Sequence, residues 1–149
     1  MNTELVGEPF IPQRTLLGPG PSNVNPRVLQ AMLSPLLGYL DPDFLKLMDD
    51  VSSMLRQVFQ TNNPLTFAVS GTGSAGMESG FCNLLEPDDV VVIAVNGFFG
   101  ERMSDIASRQ GAKVYRVDSP WGQSIDTDDV QKEMRKHASV KMLAAVHAE

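Results

Sequence analysis

The chain has 149 residues, 42% of them hydrophobic and 20% charged, with a formal net charge of -6. This composition describes one ordinary soluble domain with enough apolar mass for a core, and its acidic balance argues against attachment to nucleic acid or an anionic membrane by bulk charge. Cys82, the only cysteine, excludes an intramolecular disulfide framework and a cysteine-based zinc site, fits a reducing compartment, and reads as a small packed residue.

The longest purely apolar run, Val90 to Val95, is too short to span a bilayer. The first residues, with Glu4, Glu8 and Pro9, lack the basic and apolar regions of a secretory signal, so an intracellular, cytoplasmic protein is expected.

In chain order, Met1 to Asn25 holds Pro9, Pro12, Pro19 and Pro21 with Gly18 and Gly20. Residues 1–25 are therefore expected to be an extended arm. Asn25-Pro26 is a helix start, followed by Val28, Leu29, Met32 and Leu33 on one face and ended by Pro35. Asp41-Pro42-Asp43 repeats the signal, and Phe44, Leu47, Met48, Val51, Leu55, Val58 and Phe59 hold a helical period to about Gln60. Beyond Asn62-Asn63-Pro64, short apolar runs alternate with helical patterns. Leu65 to Val69 reads as a strand, and Ser74 to Leu85 as a helix with the stripe Met77, Phe81, Leu84 and Leu85. Val90 to Val95 is unalternating and valine-rich, as expected of a strand covered on both faces. A helix over Phe98 to Gln110 stops at Gly111, with Phe99, Met103, Ile106 and Ala107 at helical spacing. A strand over Lys113 to Val117, a helix over Thr127 to His137 capped by Asp126 or Thr127, and a last strand over Val140 to His147 complete the series. Strand–helix alternation predicts an α/β fold with a mainly parallel sheet, flanking helices and right-handed crossovers, spanning residues 26–149. The end at Glu149, just after an apolar run that reads as a central strand, suggests part of a longer domain, since an open central edge invites other chains.

The chemistry gathers at Ser70-Gly71-Thr72-Gly73-Ser74. Glycines at 71 and 73 permit positive φ and close approach of a ligand, and the first amides of the following helix lack intrahelical acceptors. An anion placed there meets free N–H groups and the positive end of the helix dipole, with the Thr72 and Ser74 hydroxyls as further donors. The same letters also describe a capped tight turn with no ligand. Gly71-Thr72-Gly73-Ser74-Ala75-Gly76 further satisfies the dinucleotide pattern Gly-x-Gly-x-x-Gly. That reading wants an acidic residue at the end of the second strand, where Val95-Asn96-Gly97 stands.

A wider constellation bears on the choice. Leu16-Leu17-Gly18-Pro19-Gly20-Pro21-Ser22-Asn23, Gly38-Tyr39-Leu40-Asp41-Pro42-Asp43-Phe44, the turn at 70–74, Asn96-Gly97-Phe98-Phe99-Gly100 and His147-Ala148-Glu149 occur in this order. Together they resemble the alanine–glyoxylate and serine–pyruvate aminotransferases, class V pyridoxal-phosphate enzymes, over nearly the whole chain from Leu16. The resemblance implies the first half of the large domain of a fold-type I enzyme, a homodimer, and transamination between a small amino acid (alanine or serine) and a small oxo acid (glyoxylate or pyruvate). It places the cofactor phosphate at Thr72, Gly73 and Ser74 and the cofactor ring on Phe99, a position where relatives often carry Trp. On spacing alone Phe99 is a core position beside Met103 and Ile106. Gly20 falls in the stretch the family keeps near the substrate, and Tyr39 stands where relatives have His. His147 and Glu149 match a strand-end motif and are expected to hold the turn, and His137 to face solvent or act as a helix C-terminal charge.

The family's catalytic lysine, its acid against the pyridine nitrogen and its substrate-carboxylate arginine all match positions beyond Glu149. None of Lys46, Lys113, Lys132, Lys136 and Lys141 stands at the lysine position, so this stretch alone is expected to be inactive. A peroxisomal signal at a natural carboxyl terminus would also lie outside it. The alternatives are a nucleotide-binding (NAD-type) α/β domain, or a non-catalytic interaction module using the Met- and Leu-rich helix over Phe44 to Phe59.

Overall fold

The computed structural model describes residues 10–149; the first nine residues of the expected arm lie outside the described residues. The described chain falls into two units, one ending at Gly38 and one running from Tyr39 to Glu149.

In the first unit the prolines and glycines keep residues 10–25 free of helix and strand. Asn23 fastens this stretch, its Oδ1 accepting from Leu16 N at 2.7 Å and its Nδ2 donating to Arg14 O at 2.8 Å. Helix α1 (Pro26–Met32) begins as expected, with Asn25 accepting from Arg27 N and Pro26 in the first turn. Its apolar residues Val28, Leu29, Met32 and Leu33 are exposed.

The second unit opens with α2 (Pro42–Val58), capped by Asp41 and carrying Asp43 in its first turn. Phe44, Met48, Val51 and Leu55 are half-buried. Leu47, Val58 and Phe59, expected on the same stripe, are exposed. The expected strand over Leu65 to Val69 is absent. Both sides of the central strand are taken by other strands, and 65–69 pairs with neither edge of the sheet. Its first amides are taken by the preceding turn instead, Leu65 N donating to Asn63 Oδ1 and Thr66 N to Pro64 O, and Leu65 and Val69 are 76% and 79% exposed.

Helix α3 (Gly73–Leu84) follows, then β1 (Val90–Val95), α4 (Phe98–Arg109), β2 (Lys113–Asp118), α5 (Thr127–Arg135) and β3 (Met142–Ala144). The sheet is wholly parallel with order β2-β1-β3. The valine-rich run is thus the central strand, and the last strand, expected to be central, is an edge. It is also shorter than the expected Val140 to His147: beyond Ala144 the chain leaves the ladder, and Glu149 reaches the start of α4.

Strand alternation divides β1 between two layers. Val91, Ile93 and Val95 pack with Phe81 and Leu85 of the α3 end and with Met103, Ile106 and Ala107 of α4. Val92 and Ala94 face the other way, where Ala94 lines an apolar cavity of about 370 Å³ with Val130 and Met134 of α5. Full burial of a residue such as Ile93 contributes roughly 1.5–3 kcal/mol. Gly100 lets α4 sit this close: a Cβ there would lie 3.0 Å from Val95 Cα. Gly111, at φ +82°, ends the helix as expected. Leu84, placed by periodicity on the buried stripe of α3, is exposed, and so is Cys82. Cys82 follows Phe81, about 100° off the core-facing line, and its Sγ accepts from Gln110 Nε2 at 3.1 Å.

Candidate functional site

From central β1 the chain crosses through α4 to β2 on one side, then returns through α5 to β3 on the other. Right-handed crossovers in opposite directions place their helices on opposite faces, so the carboxyl end of β1 is a switch point where open parallel sheets form a crevice. A cleft of about 520 Å³ lies there, lined by Asn96, Phe98, Phe99, Trp121, Gln123 and Glu149 among others.

The Thr72 turn is built by the cap of α3. Thr72 is extended at φ -79°, ψ 163°, and its Oγ1 accepts from Ala75 N at 3.2 Å while its carbonyl accepts from Gly76 N at 3.0 Å. The amides of Gly73 and Ser74 have no acceptor among the described residues. Neither Gly71 nor Gly73 takes the positive φ that the sequence allows. A Cβ at Gly73 would meet nothing within 4 Å, so the space beside the turn is open. Because Leu65 to Val69 is not a strand, the Gly-x-Gly-x-x-Gly letters also lose the strand–turn–helix context that a dinucleotide site needs.

Arg102, one helical turn beyond Phe98, joins the two halves of the site. Its Nη1 donates to Ser74 Oγ, and its Cζ stands 4.8 Å from the Phe98 ring centre and 5.9 Å from that of Phe99. Phe99 is half-buried, edge-on to Phe98 at 5.6 Å, and lines the cleft. It is therefore neither a fully buried core residue nor remote from the turn. Two free amides, the Thr72 and Ser74 hydroxyls and a guanidinium at a helix N-terminus form a donor set that fits a phosphate group with an aromatic face alongside.

The frame around these groups is polar and well bonded. Arg116 on β2 grips Glu101 on α4 with two bonds of 2.7 and 2.8 Å and also bonds Asp118. This pairing holds the Glu101 carboxyl below its ordinary value and raises the Arg116 guanidinium. Glu149 accepts from Phe99 N and caps α4, whose N-cap Gly97 has no side chain to do so. A side chain at Gly97 would run into Glu149, so the expected turn-holding role belongs to Glu149. His147 is exposed and makes no hydrogen bond among the described residues. Asn96 Nδ2 donates to Gln123 O at 3.0 Å, tying the Trp121 loop to the end of β1. Asn96 Oδ1 is buried without a partner, an acceptor left for a donor in the cleft. His137 does not face solvent as one expectation had it: just past the C-cap of α5, its side chain is 14% exposed, its ring lies 3.8 Å from that of Tyr115, and Nε2 meets Glu133 at 3.2 Å.

Of the residues singled out by the sequence, Ser74 and Phe99 meet through Arg102, with Thr72 and Gly73 in the same turn. Gly20 belongs to the first unit, in a bend where a Cβ would meet nothing within 4 Å. Tyr39 opens the second unit, 77% exposed, and its side chain makes no hydrogen bond among the described residues. Arg102 and Trp121 were missed. The spacing of Phe98 and Arg102, four apart on a helix, is the signal for the first; Trp121 enters through a loop contact with no local signature.

The five lysines do not approach the cleft. Lys113 begins β2 opposite Val90, and Lys141 N donates to Val90 O, so both lie at the far edge of the sheet. Lys132 and Lys136 pair with Asp129 and Glu133 on α5, and Lys46 is exposed on α2. No group of three or more His, Cys, Asp or Glu able to hold a metal occurs among the described residues. No helix among them is long and apolar enough to cross a membrane.

No family model matches the chain. It is 41% identical over 128 residues to alanine–glyoxylate aminotransferase of Drosophila melanogaster, covering 86% of this chain and 32% of that protein. It is 40% identical over 138 residues to (S)-ureidoglycine–glyoxylate transaminase of Bacillus subtilis strain 168, covering 93% and 33%. Among solved structures it matches alanine–glyoxylate aminotransferase from a Nostoc species with a TM-score of 0.80 and 50% identity, over 97% of this chain and 38% of that one. The chain thus spans about a third of the length of the curated relatives it matches. By sequence and by fold, it is homologous to the alanine–glyoxylate aminotransferases over that third.

Proposed function

We propose that the protein containing this chain transfers an amino group from a small amino acid, alanine or serine, to a small oxo acid, glyoxylate or pyruvate, using pyridoxal 5'-phosphate. The observation that carries the reading is the joint placement of an anion-fitting turn and an aromatic wall, linked through Arg102, in a chain whose named relatives are aminotransferases. Thr72, Gly73 and Ser74 would hold the phosphate through two free amides and two hydroxyls at the dipole's positive end. Phe99 would present its ring to the cofactor, and Glu149 would fix the helix start that carries Phe99. When bound, the cofactor supplies an electron sink for the amino acid's α-carbon. This chain's own residues bind and orient; no lysine here is placed to move the proton.

In this reading residues 26–149 form part of the large cofactor-binding domain behind the arm 1–25, Gly20 and Tyr39 lie near the substrate, and the enzyme is a cytoplasmic or peroxisomal homodimer. The 149-residue chain alone is inactive. The test supplies alanine, glyoxylate and pyridoxal phosphate to the full-length protein and to this chain. Glycine and pyruvate should form in equal amounts with the first and not with the second. A full-length protein that forms neither glycine nor pyruvate, and no amino-transfer product with serine, would remove the assignment.

A further inference from the structure

The cup contains a cation that its surroundings leave uncompensated. Arg102 takes part in no ion pair among the described residues: Glu101 is engaged by Arg116, and Glu78 and Asp105 by Arg109. Its one hydrogen bond goes from Nη1 to Ser74 Oγ in the first turn of α3, and the Phe98 ring at 4.8 Å holds the guanidinium there. A positive side chain at the positive end of a helix dipole is unfavourable unless an anion shares the place.

The bond also decides what Ser74 can do. A hydroxyl has one proton to give and lone pairs to receive. With Arg102 donating to Oγ, the Ser74 proton is free to donate to a third group. Nη2 and Nε of Arg102 have no acceptor among the described residues, so guanidinium protons also remain free beside the turn.

We propose that Arg102 is the positioning residue of the phosphate cup, orienting the Ser74 hydroxyl as a donor and supplying the charge by which the cup selects phosphorylated over unphosphorylated pyridoxal-type ligands. The proposal rests on the cofactor reading given above and adds to it the residue that sets phosphate selectivity.

Calorimetric titration of the full-length protein with pyridoxamine 5'-phosphate and with pyridoxamine tests this, since both ligands bind without a covalent step. The wild type should favour the phosphorylated ligand, with an affinity that falls as salt is added. Arg102→Gln should weaken pyridoxamine phosphate roughly tenfold to hundredfold, the range for a lost charge-assisted bond, while leaving pyridoxamine within about twofold and flattening the salt dependence. Arg102→Lys keeps the charge without the planar fork, so it should retain the salt dependence and recover part of the affinity. It also serves as the readout if the glutamine variant does not fold. Equal weakening of both ligands in either variant would mean that Arg102 only holds the two helices together, and unchanged phosphate selectivity would equally overturn the proposal. A wild type that binds neither ligand overturns the cofactor reading itself, a result distinct from either of these.

Discussion

Adding one methyl group should have opposite effects at two helical glycines. At Gly100 a Cβ would stand 3.0 Å from Val95 Cα, 3.1 Å from Val95 Cγ1 and 3.4 Å from the Ala94 carbonyl oxygen. Two of those three atoms belong to the backbone of the central strand, which pairs with β2 through Val95 and cannot yield without disturbing the sheet. Overpacking of this kind costs about 1–3 kcal/mol, against which alanine's helix propensity returns at most ~1 kcal/mol. Gly100→Ala should therefore be destabilising, by up to about 2 kcal/mol net. At Gly80, in the exposed middle of α3, a Cβ would meet nothing within 4 Å, so Gly80→Ala should stabilise by roughly 0.8–1 kcal/mol. Urea unfolding followed by circular dichroism measures both against wild type. A Gly100→Ala protein as stable as Gly80→Ala would refute the close seating of α4 on β1, and with it the position of Phe99 and Arg102.

Removing the cap hydroxyl with Thr72→Ala breaks the bond to Ala75 N and should cost about 1 kcal/mol in the same unfolding measurement. Phe99→Ala should weaken pyridoxamine phosphate binding by roughly twofold to tenfold, from a stacking contribution of ~0.5–1.5 kcal/mol, whereas Phe99→Trp should bind at least as tightly as wild type; calorimetry reads both. The Glu101–Arg116 pair predicts a pH dependence. Because the folded Glu101 value lies below its ordinary 4.5, the pair's stabilisation is fully present above pH 4.5 and is lost as pH falls through the lower folded value. Glu101→Gln should remove that part of the acid-side slope, which unfolding curves taken below pH 5 would reveal.

The elements whose stability is local were legible in the sequence. Asn25-Pro26 and Asp41-Pro42 carry their own caps, and α1 and α2 start where those residues stand. Val90 to Val95, apolar at every position, could only be a strand buried on both faces. The misreadings concern two strands at the margins of the sheet, while β1 and β2 formed where they were expected. Leu65 to Val69 has strand-like letters, but a strand exists only against another ladder. The last strand stops at Ala144, and Glu149 beyond it meets the start of α4 in a contact spanning 50 residues that no local pattern announces. The turn at Thr72–Ser74 could be read as an anion cradle from its cap and its free amides. Of the two reasons given for its glycines, positive φ is not used, while the open space at Gly73 is compatible with close approach of a ligand to the backbone. Arg102 stayed hidden because its importance arises only where two helices meet.

The central claim is that the turn at Thr72–Ser74 and the ring of Phe99 receive one phosphorylated pyridoxal-type ligand. A crystal structure of the full-length protein with pyridoxamine 5'-phosphate tests it most directly. The account predicts the phosphate within hydrogen-bonding distance of the Gly73 and Ser74 amides, with the ligand ring against Phe99. A phosphate bound elsewhere, or a ring turned away from Phe99, would contradict it.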